Sequence, residues 1–165
     1  MIVTPKDLNA EKSYMADNAR FGDLMPDDLP AASVLEEKLF SSPWSLEALK
    51  DAVSRKDSVY AACYLNDALA GYCGLYLIEE EGYINQVAVA EQFQGMGLGR
   101  KMLAYLMDEA ASRGMTACTL EVRVSNERAV RLYHSLGFED AGIRPGFYDK
   151  PKEDALIMWR KNEVF

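Results

Sequence analysis

The stretch Gln94-Gly95-Met96-Gly97-Leu98-Gly99-Arg100 decides how this chain is read. It joins an apolar, strand-like run to Leu98–Ser112, where Leu98, Met102, Tyr105, Leu106 and Glu109 recur at helical spacing and Arg113-Gly114 closes the helix. Its glycines let the backbone turn tightly and approach a ligand closely. The unpaired amides of the helix's first turn, helped by the positive end of the helix dipole, then face an anion. Arg100 and Lys101 add cationic reach, so the loop reads as a phosphate or pyrophosphate cradle. A P-loop would end in Gly-Lys-Ser/Thr, which is absent. A dinucleotide fingerprint needs a third glycine where Arg100 or Met102 stands. Glu121 does lie about 20 residues further on, where that fold places a ribose-binding acid. Against that fold, the loop comes after an antiparallel meander rather than the first strand of a βαβ unit.

The meander is Ser58–Leu65, Leu69–Ile78 and Gly82–Val89, rich in Val, Tyr, Ile, Leu and Cys and separated by Asn66-Asp67 and Glu80-Glu81-Gly82. Upstream, Ala19–Met25 suits a short strand. Asp28 suits the N-cap of a helix through Phe40, and Ser45 the cap of a helix to about Val53. Downstream, Thr116–Val122 alternates as a strand, Asn126 caps a helix ended by Gly137, and Phe138–Ile143 and Ala155–Arg160 read as strands. The order β-α-α-β-β-β-α-β-α-β-β is α/β in class, a mixed sheet with flanking helices. No repeat or linker divides the chain. Residues 1–18 lack clear periodicity and suit an N-terminal extension to a domain over 19–165.

With 165 residues, 49% of them hydrophobic and 27% charged, the chain has the balance of a folded globular protein. No apolar stretch is long enough to span a bilayer, and the N-terminus lacks the apolar core of a signal peptide, so a cytoplasmic location is expected. A net charge of −8 opposes nonspecific binding to nucleic acid or to an anionic membrane. Cys63, Cys73 and Cys118 form no C-x-x-C pair and suit buried thiols. His134 is the single histidine, which argues against a catalytic zinc site; no metal is expected.

Gln94, Gly97 and Gly99 also match Q/R-x-x-G-x-G/A, and here the chain resembles the acyl-CoA loop of the GNAT superfamily of N-acetyltransferases. The runs Leu120–Asn126 and Ala129–Phe138 look like the next strand and helix of its ribosomal-protein-alanine N-acetyltransferase branch. Asp28-Leu29-Pro30, Pro43-Trp44-Ser45 and Glu153–Met158 match as well, so the resemblance covers about residues 20–160. It implies the GNAT fold, a mostly antiparallel sheet flanked by helices, and acetyl-CoA as acetyl donor. It also implies an acceptor that is the N-terminal α-amine of a protein, an alanine of a basic small-subunit ribosomal protein. A lysine or small-amine acetyltransferase, or a noncatalytic CoA-binding module, would share the scaffold. Two departures stand out. Gly95 replaces a basic loop residue, leaving Arg100 and the amides to hold the pyrophosphate, and Gly146-Phe147 replaces two polar groups beside the acceptor surface.

Acetylating an amine requires a neutral nucleophile and a protonated leaving thiolate, and α-amines and lysines are largely protonated at pH 7. By resemblance, Glu121 is the general base, acting through water, and Tyr133 protonates the departing sulfur. The same resemblance assigns the cofactor to Val87, Ala88 and Val89 through their backbone, to Gln94, Gly95, Met96, Gly97, Leu98, Gly99 and Arg100, and to Asn126. Trp44 and Tyr148 are candidates for the acceptor entrance.

Overall fold

A computed structural model describes residues 4–162. Residues 1–3 of the expected extension and 163–165 of the expected domain lie outside the described residues. Helix α1 (Pro5–Asp17) precedes β1 (Arg20–Asp23), α2 (Leu29–Leu39), α3 (Leu46–Ser54), β2 (Ser58–Leu65), β3 (Ala68–Ile78), β4 (Glu81–Val89) and α4 (Leu98–Ser112). The chain continues as β5 (Ala117–Arg123), α5 (Glu127–Ser135), β6 (Glu139–Asp149) and β7 (Lys152–Lys161). The seven strands form one sheet in the order β1-β2-β3-β4-β5-β7-β6. Every junction is antiparallel except β4–β5.

One face of the sheet packs against α4. Val59, Ala61, Cys73, Leu75, Leu120 and Val122 meet Leu98, Met102, Leu103 and Leu106 in the larger core, which α5 joins through Tyr133. Each fully buried leucine there contributes about 1.5–3 kcal/mol. The opposite face packs against α2 and α3 through Tyr60, Tyr72, Ala88, Ala32, Leu35 and Leu49.

Local signals place most helix ends. The Ser45 side chain accepts from Ala48 N at 3.1 Å, and Asn126 accepts from Ala129 N at 3.2 Å. Asp28 behaves differently. It ends a 3-10 turn over Pro26–Asp28, and its carboxylate accepts from Met25 N and the Tyr64 hydroxyl instead of capping α2. Helix α1 arises in the stretch that lacks apolar periodicity. Thr4 and Asp7 form a capping box and Pro5 opens the first turn, so local chemistry sets this helix rather than an apolar stripe. Strands β6 and β7 extend well past the expected Phe138–Ile143 and Ala155–Arg160, because their pairing resumes beyond a break between Arg144 and Tyr148.

Strand β4 carries a bulge. Gly74 of β3 pairs with Gln86 and Leu75 with Ile84, leaving Asn85 as the extra residue. The insertion re-aims the remainder of the strand, so that Gln86 and Ala88 face α2 while Val87 and Val89 face α4. A Cβ at Gly74 would overlap the Tyr60 ring. Gly74→Ala should therefore lower unfolding free energy by about 1–3 kcal/mol, measured from urea denaturation curves.

Candidate active site

Strands β4 and β5 pair only at Glu81–Tyr83 with Ala117–Thr119. Beyond Tyr83 and Thr119 they part. Antiparallel alternation, fixed by Ala90 N donating to Ala70 O at 2.8 Å, turns the backbone groups of Ala88 toward β3. Those of Val87 and Val89 then face the gap. Gln94 Nε2 donates to Val89 O at 2.9 Å, filling one acceptor the split leaves unpaired and tying the glycine loop to β4.

A cavity of about 960 Å³ runs through the gap. It is lined by Val87, Val89, Gln94, Gly95, Gly97, Leu98, Gly99, Arg100, Glu121, Asn126 and Tyr133, which brings most of the expected residues together. Two are elsewhere. The Ala88 side chain lies in the α2–α3 core, and Met96 packs against the larger core. Trp44 and Tyr148 also line it, with Phe40, Gln86 and Phe147. His134 sits outside, its Nε2 2.7 Å from Asp140 Oδ1.

The loop has the form of an anion site. Gly95 and Gly97 have φ of +78° and +77°, and a Cβ on Gly97 would meet nothing within 4 Å. Gly97 is the N-cap of α4, where a glycine brings no capping oxygen, so the first-turn amides stay available. These residues fit the phosphates of an acyl-CoA. Arg100 Nη2 donates to Ser135 O at 3.3 Å, an anchor at the C-terminal end of α5. Arg128, unassigned from sequence, stands closer to the glycines. Its Nη1 donates to Gln94 Oε1 at 3.4 Å, and a Cβ at Gly95 would come within 2.7 Å of its Nη2. Gly95 thus makes room for an arginine from the first turn of a different helix.

Glu121 is almost buried, with 8% of its side chain exposed. The Tyr83 hydroxyl donates to Oε2, and Arg144 Nη1 is 3.2 Å from Oε1. Burial, then the bond to Glu121, pushes the Tyr83 hydroxyl pKa up, so it stays a donor. Tyr83 and Glu121 lie on one face, since Tyr83 is level with Thr119 and Glu121 is two residues on. Tyr133 enters from α5. It is 7% exposed and packs edge-on against Phe138 at 5.9 Å, and burial raises its hydroxyl pKa.

The far wall is braced from β5. Arg123 donates to Pro151 O at 2.9 Å and Lys150 O at 3.1 Å and lies over the Tyr148 ring. Glu153 accepts from Ser125 N at 2.7 Å and Ser125 Oγ at 2.9 Å, and these bonds, the hydroxyl first, hold its carboxyl below the usual carboxylate range.

Such a split sheet, with a glycine loop at one end and a buried carboxyl and phenol in the gap, is suited to acyl-group transfer. The chain belongs to the acetyltransferase (GNAT) family, whose model matches residues 23–138. Acetyltransferases of this family use acetyl-CoA. The chain is 38% identical over 135 residues to the [ribosomal protein bS18]-alanine N-acetyltransferase of Escherichia coli K12, covering 79% of this chain and 89% of that one. It is 32% identical over 145 residues to the N-alpha-acetyltransferase RimI of Mycobacterium tuberculosis, covering 84% and 90%. The crystal structure of the Escherichia coli ribosomal-protein-S18-alanine N-acetyltransferase superposes with a TM-score of 0.82 at 32% identity, covering 89% of this chain and 96% of that one. Among the described residues no helix is long and apolar enough to cross a membrane.

Gly97→Val should weaken acetyl-CoA binding more than tenfold by titration calorimetry while the protein stays folded. A branched side chain would fill the ligand's approach and sit uneasily at positive φ.

Proposed function

We propose that this protein transfers the acetyl group of acetyl-CoA to the N-terminal α-amine of a protein, an alanine of a basic small-subunit ribosomal protein. The observation that carries the mechanism is that Glu121 and Tyr133 reach one cavity from β5 and α5, beside the glycine loop. The relatives' names, which specify an alanine of bS18 and an N-alpha amine, favour this acceptor.

Acetyl-CoA, when bound, supplies the activated acyl carbonyl. The amides opening α4, with Arg128 and Arg100, hold the phosphate end, and the free backbone of Val87 and Val89 takes the extended arm as an added strand takes a sheet edge. Asn126 keeps α5 capped at the loop's flank. Glu121 removes the proton of the incoming ammonium, through water, because Tyr83 and Arg144 hold its two oxygens. Tyr133 gives its proton to the departing sulfur. Its raised pKa keeps the acid form present above the ordinary tyrosine range, so its contribution persists as pH rises through about 10.

Glu121→Gln should lower kcat/KM by about 10²–10⁴, with the deficit shrinking at alkaline pH where the amine is neutral unaided. Tyr133→Phe should lower kcat with little change in acetyl-CoA affinity, and the wild-type rate should hold to about pH 10. A wild-type rate in either variant removes that residue from the chemistry. The acceptor is tested with one basic peptide in two forms. Mass spectrometry should show faster acetylation with a free N-terminal alanine than with that terminus blocked and only lysines offered. At neutral pH the α-amine supplies about two to three powers of ten more neutral nucleophile. Equal rates would place the enzyme among lysine or small-amine acetyltransferases.

A further inference from the structure

Glu36 of α2 is completely buried, and it lies outside the Glu121–Tyr133 pair. Three donors converge on its carboxyl. Trp44 N donates to Oε2 at 2.9 Å, Gln86 Nε2 donates to Oε1 at 2.5 Å, and the Tyr72 hydroxyl donates to the same Oε1. Burial, and then its bond to Glu36, pushes the Tyr72 hydroxyl pKa up and keeps it a donor. One carboxyl therefore joins α2, β3, β4 and the loop after α2.

Two of these partners form the acceptor side of the cavity. Trp44 lines it from the loop and Gln86 from the bulge in β4. An amide has one donor end and one acceptor end. Since one Nε2 N–H of Gln86 is bound to Glu36, the amide's orientation is fixed, and its carbonyl oxygen is the acceptor it can offer the cavity. Gln86 and Glu121 lie on the same face of the split sheet.

We propose that Glu36 is a positioning residue for the acceptor. It fixes the Gln86 amide so that Oε1 accepts a hydrogen bond from an N–H of the acceptor's first residue, and it holds the Trp44 loop against that site. The assignment rests on the N-terminal acetyltransferase reading above and adds a specific acceptor contact to it.

Glu36→Gln tests the polarity. The new amide would donate to Gln86, which must turn over to accept and would show the cavity its NH2 end. Acceptor KM should rise about tenfold, the loss of roughly one hydrogen bond, with kcat and acetyl-CoA affinity within about threefold of wild type. Gln86→Met should raise KM similarly. The double variant Glu36→Gln/Gln86→Glu restores a donor on α2 and an acceptor in the cavity, and should bring KM back to within about threefold. An unchanged KM in Gln86→Met overturns the proposal even if Glu36→Gln does not fold. So does a folded double variant that fails to recover, or a parallel loss of kcat and acetyl-CoA affinity in Glu36→Gln. Whether the wild type prefers the free or the blocked peptide tests the function separately. The variant-to-wild-type ratio, taken on whichever acceptor the wild type uses, tests Glu36.

Discussion

Strands β4 and β5 stop pairing after Tyr83 and Thr119, and the site depends on that parting. A buried strand edge with unmet amides and carbonyls is costly, and each exposed group needs a partner. Here the need is met piecemeal. Gln94 takes the Val89 carbonyl, and the remaining edge of Val87 and Val89 is open to an extended ligand arm.

The bulge at Asn85 and the split are adjacent for a mechanical reason. An extra residue increases local twist and bends its strand, which turns β4 away from β5 while its antiparallel ladder to β3 continues. Across the gap the two halves remain connected by the Tyr83 hydroxyl on Glu121. From the edge strand β6, Arg144 reaches the same carboxyl, while Arg123 of β5 and Glu153 of β7 brace the hairpin that carries Phe147 and Tyr148. The Glu121 carboxyl is thus held from both sides of the opening.

Much of this architecture is legible in the sequence. The glycine loop, the caps at Ser45 and Asn126 and the three-strand meander are local patterns, and local patterns survive folding. Glu121 and Tyr133 are singled out only by the family resemblance, and the structure brings both to one cavity. The features that escape a sequence reading depend on register or on distant neighbours. The bulge reverses the facing of Gln86, and no run of alternating residues announces it. Arg128 reaches the loop from α5, more than 30 residues along the chain. Tyr83 can be found by placing it level with Thr119 and counting two residues to Glu121, but that register is known only once the parallel pair is seen. Asp28 has the residue type of a cap, yet Met25 N and Tyr64 compete for its carboxylate and win. Helix α1 has strong end signals and meets the core through Met15 and Ala16 in its last turn, too short an apolar stripe for a search for periodicity to find.

The three cysteines have a practical bearing on watching turnover. All are buried free thiols, and burial moves Cys63 up to about 11 and Cys118 up to about 12, with Cys73 higher than the ordinary thiol value as well. Thiolate is the reactive form, and almost none is present on the folded chain near neutral pH. Each acetyl transferred from acetyl-CoA, by contrast, sets free one exposed thiol on a small molecule. A disulfide dye added to the reaction therefore meets a protein that is silent toward it and a product that is not, and its colour tracks the catalytic rate against a dark background.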